Sequence, residues 1–138
     1  MKRYLAIDPG DKRTGLAVGD ELTGPGPVGV IEATTPEHLL RELRDAIDEY
    51  APDALVVGIP YNMDGTAGPG AKKAEALARL LEGHTGLDVH RFDERLTSYA
   101  ADEQMQRSGL TRRQKKSRRD ALAAAAILRD FLESRRTP

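Results

Sequence analysis

The stretch LAIDPGDKRTGLAVGD, residues 5–20, decides how the rest of the chain is interpreted. An apolar strand ends at Asp8, a turn rich in glycine and charge follows, and a second strand begins. Asp, Pro and Gly favour tight turns, so the simplest interpretation is an ordinary hairpin. The alternative is that Asp8 lies at the edge of a buried sheet and binds a metal ion there. The remaining sequence has to decide between the two.

The composition excludes several classes of protein. A chain of 138 residues has the length of one domain, residues 1–138, and 39% hydrophobic residues suffice for one core between two layers. The absence of cysteine excludes disulfides and thiolate chemistry. No apolar run approaches the roughly 20 residues of a membrane span, and the first residues contain no apolar signal-peptide core. We therefore expect a soluble, cytoplasmic protein without a membrane partner.

The net charge of -1 conceals a local excess of positive charge. The segment RRQKKSRR, residues 112–119, contains six basic residues in eight. A basic segment on a nearly neutral protein indicates a place where phosphates bind. The alternative is a solvated, mobile loop without a ligand.

The hydrophobic pattern predicts an alternation of strands and helices. Three short strands come first, over residues 4–7, 14–19 and 29–33. Helical periodicity follows from Thr35, a candidate cap, and Pro36, which suits a first helical position. Further predicted elements are a strand in DALVVGIP, a helix over residues 71–81, a strand over 87–92, a short helix over 99–107, the basic loop, and a last helix, DALAAAAILRDFLES.

This order predicts an α/β fold with a five-stranded mixed sheet and helices on both faces. The first three strands form an antiparallel meander, and the first, fourth and fifth are parallel, joined by right-handed crossovers. The functional crevice of such a sheet lies beyond the carboxyl ends of its parallel strands. The polar residues that directly follow those ends are Asp8, Asn62, Asp64, Asp93 and Glu94.

Asp8 and Glu94 are the first two candidate metal ligands. Two carboxylates that converge at one sheet edge repel each other unless a divalent cation neutralises them. Oxygen ligands favour Mg²⁺ or Mn²⁺ over zinc. The three histidines, His38, His84 and His90, lie away from every motif and are interpreted as structural or surface residues.

Asp120 is the third candidate, and it has a competing structural role. Ser117 and Asp120 fit a capping box that begins the last helix. Asp120 also shares a helix face with Ala124, Ile127 and Phe131, so it heads the stripe that faces the core. The two roles are compatible. Three carboxylates that hold two Mg²⁺ or Mn²⁺ ions roughly 4 Å apart, beside a basic segment, would suit phosphodiester hydrolysis.

Four blocks, AIDPGDKRTGLAVGD, VVGIPYNMDGTAGPGA, DERLTS and DALAAAAIL, resemble in order and spacing the YqgF/RuvX-like family, over nearly the whole chain. Its members have a ribonuclease H-like fold and are described as pre-16S rRNA nucleases or Holliday-junction resolvase homologues. The resemblance implies that Asp8 binds metal and that Glu94 and Asp120 complete the catalytic, metal-binding set. It also implies that Asn62 and Asp64 lie at the rim, near the substrate.

The predicted partner is a nucleic acid held by its backbone and shape. Aromatic residues make up only 4% of the chain, which disfavours base stacking as the main grip and favours structured RNA or branched DNA. Ribosomal precursor particles are a further expected partner, and the protein is expected to be a monomer or a weak homodimer. The predicted nucleic-acid contacts are Lys12, Arg13, Thr14, Asn62, Asp64, Arg95, Thr97, Ser98, Arg118 and Arg119.

Three other functions were weighed against an rRNA-processing nuclease. An actin-like or sugar-kinase-like ATPase would close a cleft between two domains, and the P-loop pattern fails because Ala71 stands where lysine is needed. A non-catalytic ribosome-assembly factor would need the basic segment but not the carboxylates. A Holliday-junction resolvase would use the same chemistry, and symmetric cutting of two strands would call for a dimer.

Overall fold

The computed structural model describes residues 1–96 and 112–136, and the side chains of residues 1–95 and 119–136. Its strands are β1 (Tyr4–Asp8), β2 (Arg13–Asp20), β3 (Gly24–Glu32), β4 (Ala54–Ile59) and β5 (Asp88–Asp93). The helices of the described residues are α1 (Pro36–Tyr50), α2 (Pro69–Thr85) and α3 (Arg112–Arg136), with one 3-10 turn at Glu94–Leu96.

The five strands form one mixed sheet in the order β3-β2-β1-β4-β5. β1 pairs antiparallel with β2, and β2 pairs antiparallel with β3. β1 pairs parallel with β4, and β4 pairs parallel with β5. This topology confirms the predicted meander and the predicted parallel group, whose carboxyl ends meet at one edge of the sheet.

Helices cover both faces of the sheet. On β1, Leu5 and Ile7 pack in a cluster with buried residues of α1 and α2, while Tyr4 and Ala6 pack with buried residues of α3. All six residues of β4 are buried, as expected for a strand covered on both sides. Because side chains alternate along a strand, Asp8 continues the face that carries α3.

The helix α1 begins and packs as its sequence predicts. Thr35 caps it, because its hydroxyl oxygen accepts a hydrogen bond from the amide of His38, and Pro36 is the first helical residue. The apolar stripe faces the α1–α2 side of the core, since Leu43 and Ala46 are buried there. Leu39, Leu40 and Ile47 pack against the same cluster.

The third strand is longer than the predicted 29–33, because it begins at Gly24 and includes Pro25 and Pro27. Proline and glycine are generally more common in turns than in strands. β3 is an edge strand, however, where a residue without a backbone N–H is tolerated. The helix α2 likewise extends beyond the predicted 71–81 at both ends.

The basic segment is helical, so the prediction of a basic loop was wrong. Arg112 begins α3, and residues 112–119 form its first two turns. Arg, Lys and Gln have high helix propensity, and no glycine or proline interrupts the chain from there to Arg136. The capping box is wrong for the same reason, since Ser117 and Asp120 lie inside the helix and not at its start. The short helix predicted over 99–107 falls outside the described residues.

No helix within residues 1–96 or 112–136 combines the length and the apolar character that crossing a membrane requires.

Candidate active site

Asp8 and Glu94 meet at the carboxyl edge of the sheet, on the face covered by α3. Strand alternation places them there, since Asp8 follows Tyr4 and Ala6, and Glu94 follows Phe92, all of which pack on that face. β4 runs between their two strands. With Asp120 from α3, these residues are called the acidic edge below.

Gly58 creates the space in which the Glu94 side chain lies. It follows Val57, which pairs with Ile7, so it sits beside Asp8 in the middle strand. A Cβ atom at Gly58 would lie 2.5 Å from Oε1 of Glu94 and 2.7 Å from Cδ1 of Ile127. The role of Gly58 was not predicted from the sequence, although a lone glycine inside an apolar strand is a known sign of close approach.

Asp8 and Glu94 are joined by a hydrogen bond between their side chains. Burial is the main cause that raises the pKa of both carboxyl groups. The hydrogen bond to Asp8 and the charge of Asp8 add to this effect and bring the pKa of Glu94 to about 9. Because two ionised carboxylates cannot hydrogen-bond to each other, the pair holds a proton between its two side chains.

Gly15 brings the helix α3, and with it Asp120, close to Asp8. Gly15 is the direct partner of Asp8 in the β1–β2 ladder. A Cβ atom at Gly15 would overlap the backbone carbonyl of Asp120, so the helix can approach the strand only because this side chain is absent. The negative charge of Asp120 is near enough to raise the pKa of Asp8. The predicted trio therefore lies in one region, although its members are 112 residues apart at the extremes (Asp8 to Asp120).

Asp120 is engaged by Arg13, a contact that the sequence did not predict. Nε of Arg13 donates a hydrogen bond of 2.8 Å to Oδ2 of Asp120. Among the described residues, no three Asp, Glu, His or Cys side chains are arranged so that they could hold a metal ion. The acidic edge thus consists of a proton-sharing pair and a third carboxylate held by an arginine.

The loop after β4 is fixed by its own contacts and by Arg95. Oδ1 of Asp64 accepts hydrogen bonds from the amide and the hydroxyl of Thr66, which lower the pKa of Asp64. Asn62 donates to the Thr66 hydroxyl. Arg95 donates to the Met63 carbonyl. Asn62 and Asp64 are exposed, so this loop presents polar groups to solvent.

Arg95 is oriented by Asp93, the last residue of β5. Nη2 of Arg95 lies 2.6 Å from Oδ2 of Asp93, and the guanidinium lies 5.8 Å from the centre of the Tyr61 ring. The same contact lowers the pKa of Asp93. Asp93 thus holds Arg95 against the loop, and its negative charge adds to the causes that raise the pKa of the adjacent Glu94.

The other predicted contacts divide by exposure. Lys12 and Arg119 are exposed, whereas Thr14 is 2% exposed and alternates to the face opposite Asp8, where its side chain is enclosed. Arg118 lies on the α3 backbone directly before Arg119. Thr97 and Ser98 lie outside the described residues.

The histidines lie away from the acidic edge. The ring of His90 packs 5.1 Å from that of Phe131 and 6.1 Å from that of Tyr4, between centres. Burial lowers the pKa of His90. His38 contacts Glu42 on the exposed side of α1, and His84 is exposed in the last turn of α2.

Two solved structures share the fold over nearly the full chain. RuvC of T. thermophilus, solved in complex with a Holliday junction substrate, is 16% identical, with a TM-score of 0.58 and coverage of 99% of this chain and 97% of that one. The Holliday junction resolvase of fowlpox virus is 14% identical, with a TM-score of 0.59 and coverage of 96% and 99%. The fold is ribonuclease H-like, as the sequence predicted.

Sequence relatives are considerably closer. A protein from Geobacillus sp. named "Putative pre-16S rRNA nuclease" is 40% identical over 136 residues, which cover 96% of this chain and 99% of that protein. A protein of the same name from Opitutus terrae is 42% identical over 142 residues, covering 99% of this chain and 94% of that protein. A family model described as "RuvX: Holliday junction resolvase" matches residues 2–134. The chain therefore belongs to the RuvX family.

Proposed function

We propose that this protein is a nuclease that uses Mg²⁺ or Mn²⁺ and processes the 5′ end of pre-16S rRNA. The observation that carries the proposal is the acidic edge itself. Two half-buried carboxyl groups share a proton at the carboxyl ends of parallel strands, and a third carboxylate lies within electrostatic reach. Strongly perturbed carboxyl groups of this kind are typical of functional sites.

The donor set fits a hard divalent cation. Asp8, Glu94 and Asp120 offer only oxygen ligands, which suit Mg²⁺ and Mn²⁺ better than softer metals. When bound, such ions supply an activated water and stabilise the charge on the leaving oxygen. A hydrogen bond joins Asp8 and Glu94, and the pair can release its shared proton when a cation replaces it.

The basic turns of α3 support the proposal, because they lie next to the acidic edge in the chain. Six basic residues occupy the eight positions 112–119, directly before Asp120 on the same helix. Lys12 and Arg13 approach the same edge from the β1–β2 turn. Phosphate contacts of this kind set the position of a nucleic acid without reading its sequence.

The choice of precursor rRNA rests on the related proteins, whose name includes this substrate. A protein with this role would act in the cytoplasm. Cleavage of a four-way DNA junction is the second candidate, favoured by the description of the matching family model. Both candidates use residues 1–138 as a single nuclease domain and the same carboxylates. They differ in the nucleic acid and in the need for a dimer.

The proposal is tested by cleavage assays with Mg²⁺ or Mn²⁺. The substrates are a pre-16S rRNA fragment with its 5′ extension, a single-stranded RNA and a four-way DNA junction. Asp8→Asn should abolish cutting, whereas Asp48→Asn, the same change on the exposed side of α1, should retain it. Preferential cutting of the rRNA fragment supports the proposal, and preferential cutting of the junction supports the second candidate.

A folded protein that cuts none of these substrates would overturn the proposal. Binding of the rRNA fragment that survives Asp8→Asn would then identify a non-catalytic assembly factor. Circular dichroism of both variants confirms that the comparison is made between folded proteins.

A further inference from the structure

Arg13 and Asp120 form an ion pair between two distant parts of the chain. Arg13 is the first residue of β2, and Asp120 lies in α3, 107 residues later. Their side chains are only 26% and 27% exposed, so the pair is partly shielded from water but still reaches the surface. An ion pair at the acidic edge can have one of two effects. It either orients the Asp120 carboxylate toward a metal ion or occupies the carboxylate so that it does not bind the ion.

The arrangement of the carboxylates favours the second possibility. Asp8 and Glu94 hydrogen-bond to each other, while Oδ2 of Asp120 accepts its hydrogen bond from Arg13. Within the described part of the chain, three acidic side chains do not converge tightly enough to hold a cation. The carboxylate that would complete the set is the one that Arg13 holds.

Arg13 is also suited to a phosphate. The contact with Asp120 is made by Nε, which is one of the five N–H donors of the guanidinium group, so the two outer nitrogens offer further donors. A guanidinium group can bind two phosphate oxygens at once in a planar, bidentate geometry. A carboxylate offers it the same geometry, so a phosphate can compete with Asp120 for Arg13. Strand alternation places Arg13 on the same face as Gly15, the ladder partner of Asp8, so a phosphate at the acidic edge passes within reach of it.

We propose that Arg13 is a positioning residue that holds Asp120 when no nucleic acid is bound, and that it moves to a backbone phosphate when one binds. Nucleic-acid binding thereby completes the metal site. The inference rests on the proposed function, because it assumes a nucleic acid and a divalent cation at the acidic edge. It adds an order of events: the site has a low affinity for the metal ion until the phosphate backbone of a nucleic acid binds.

The test measures Mn²⁺ affinity from the electron paramagnetic resonance signal of the free ion, so it does not depend on cutting. The probe is a 2′-O-methyl RNA hairpin with phosphorothioate linkages, which resists cleavage, and Mn²⁺ bound by the hairpin alone is subtracted. In the wild type, the hairpin should tighten Mn²⁺ binding by about two- to fivefold, the scale of a partly exposed ion pair.

Arg13→Gln should bind Mn²⁺ about two- to fivefold more tightly than the wild type without the hairpin, and the hairpin should add nothing further. Arg13→Lys, which keeps the charge, should change the affinity in the same direction by less. Arg41→Gln, which removes one exposed charge from α1 on the other side of the sheet, should behave as the wild type.

The effect of Arg13→Gln should vanish in an Asp120→Asn background, because the carboxylate that Arg13 holds is then absent. An effect that persists there would show that Arg13 acts only through its charge, and it would overturn the inference. Weaker Mn²⁺ binding by Arg13→Gln would also overturn it, since Arg13 would then orient Asp120 toward the metal. If the wild type binds no Mn²⁺ with or without the hairpin, the proposed function fails together with the inference.

Discussion

The two faces of the sheet near β5 are lined by carboxylates in opposite electrostatic surroundings. On the α2 face, Arg91 lies between Glu75 and Glu82, with nitrogen–oxygen distances of 3.1 and 2.8 Å, and these three residues are called the Arg91 cluster. Arg91 lowers the pKa of Glu82. On the α3 face, Glu94 hydrogen-bonds to Asp8, and its pKa is raised.

This difference separates two uses of acidic side chains. The Arg91 cluster neutralises its charges within the protein, so it requires nothing from outside. At the acidic edge, burial disfavours the ionised forms of Asp8 and Glu94. The protein does not neutralise these two charges itself, so a cation from outside would stabilise their ionised forms. The same substitution should therefore have different effects on cleavage and stability in the Arg91 cluster and at the acidic edge.

The largest expected difference is in catalysis. Glu94→Gln should lower the rate of cleavage by about a thousandfold or more, since a metal ion contributes several kcal/mol to transition-state stabilisation. Glu82→Gln, the same change in the Arg91 cluster, should leave the rate within about twofold of the wild type. Single-turnover assays of the two variants measure both rates, and equal rates would remove the distinction between the two faces.

The second difference is in the pH dependence of stability without metal. Because the pKa of Glu94 is raised from 4.5 to about 9, the folded state keeps a proton that the unfolded state loses. The free energy of unfolding should therefore fall as the pH rises between these values, by at most about 1.4 kcal/mol per pH unit for one proton. Urea denaturation of wild type and Glu94→Gln at pH 5 and pH 8, with a chelator present, measures this slope.

Glu82 should give the opposite sign. Its lowered pKa contributes stability above its ordinary value of 4.5, and this contribution is lost as the pH falls through the folded-state pKa. Glu82→Gln should thus be less stable than the wild type at pH 7 and equal to it in strong acid.

The prediction for Glu94 also has a contradicting outcome. If the free energy of unfolding of Glu94→Gln changes with pH between pH 5 and pH 8 as that of the wild type does, Asp8 and Glu94 do not share a proton.

The third difference is in the packing of α3 against β2, which holds Asp120 in place. Gly15→Ala should destabilise the protein by about 1–3 kcal/mol, because the new methyl group overlaps the Asp120 carbonyl and α3 must shift. Gly26→Ala is the matched control, since nothing lies within 4 Å of a Cβ atom there, and it should stay within about 0.5 kcal/mol of the wild type. Urea denaturation gives both values.

Binding of Mn²⁺ extends this test to the acidic edge. A shift of α3 moves Asp120 away from Asp8, so Gly15→Ala should also weaken Mn²⁺ binding, while Gly26→Ala should not. Unchanged affinity and stability in Gly15→Ala would show that the helix does not depend on this close approach.

Much of the acidic edge could be predicted from local patterns, whereas the contacts that shape it could not. Asp8 and Glu94 each follow a strand, and topology alone brings such positions together. The ion pair between Arg13 and Asp120 joins residues 107 apart, and no periodicity reports it. Gly15 acts through the backbone of a helix that is distant in sequence, so its role becomes visible only when the two are packed.

The errors in the predicted elements have a related origin. The basic segment was interpreted by its charge, while its backbone follows helix propensity and continues into α3. The first half of β3 was left outside the predicted strand, while the position of β3 at the sheet edge allows its prolines to be part of the strand. In the first case helix propensity outweighed the charge pattern, and in the second case the position of the strand at the sheet edge outweighed the turn propensity of its residues.

The smallest expected effect is the energy of the Arg91 cluster itself. Arg91 is 28% exposed and Glu82 is 42% exposed, so water screens their attraction, and a double-mutant cycle with Arg91→Gln and Glu82→Gln should give a coupling below about 1 kcal/mol. Neither variant should change cleavage or Mn²⁺ affinity. Urea denaturation of the four proteins in the cycle measures the coupling. A coupling of several kcal/mol, or a loss of Mn²⁺ binding, would mean that the two faces of β5 act as one unit, and the contrast between them would no longer explain why the proposed metal site lies on the α3 face.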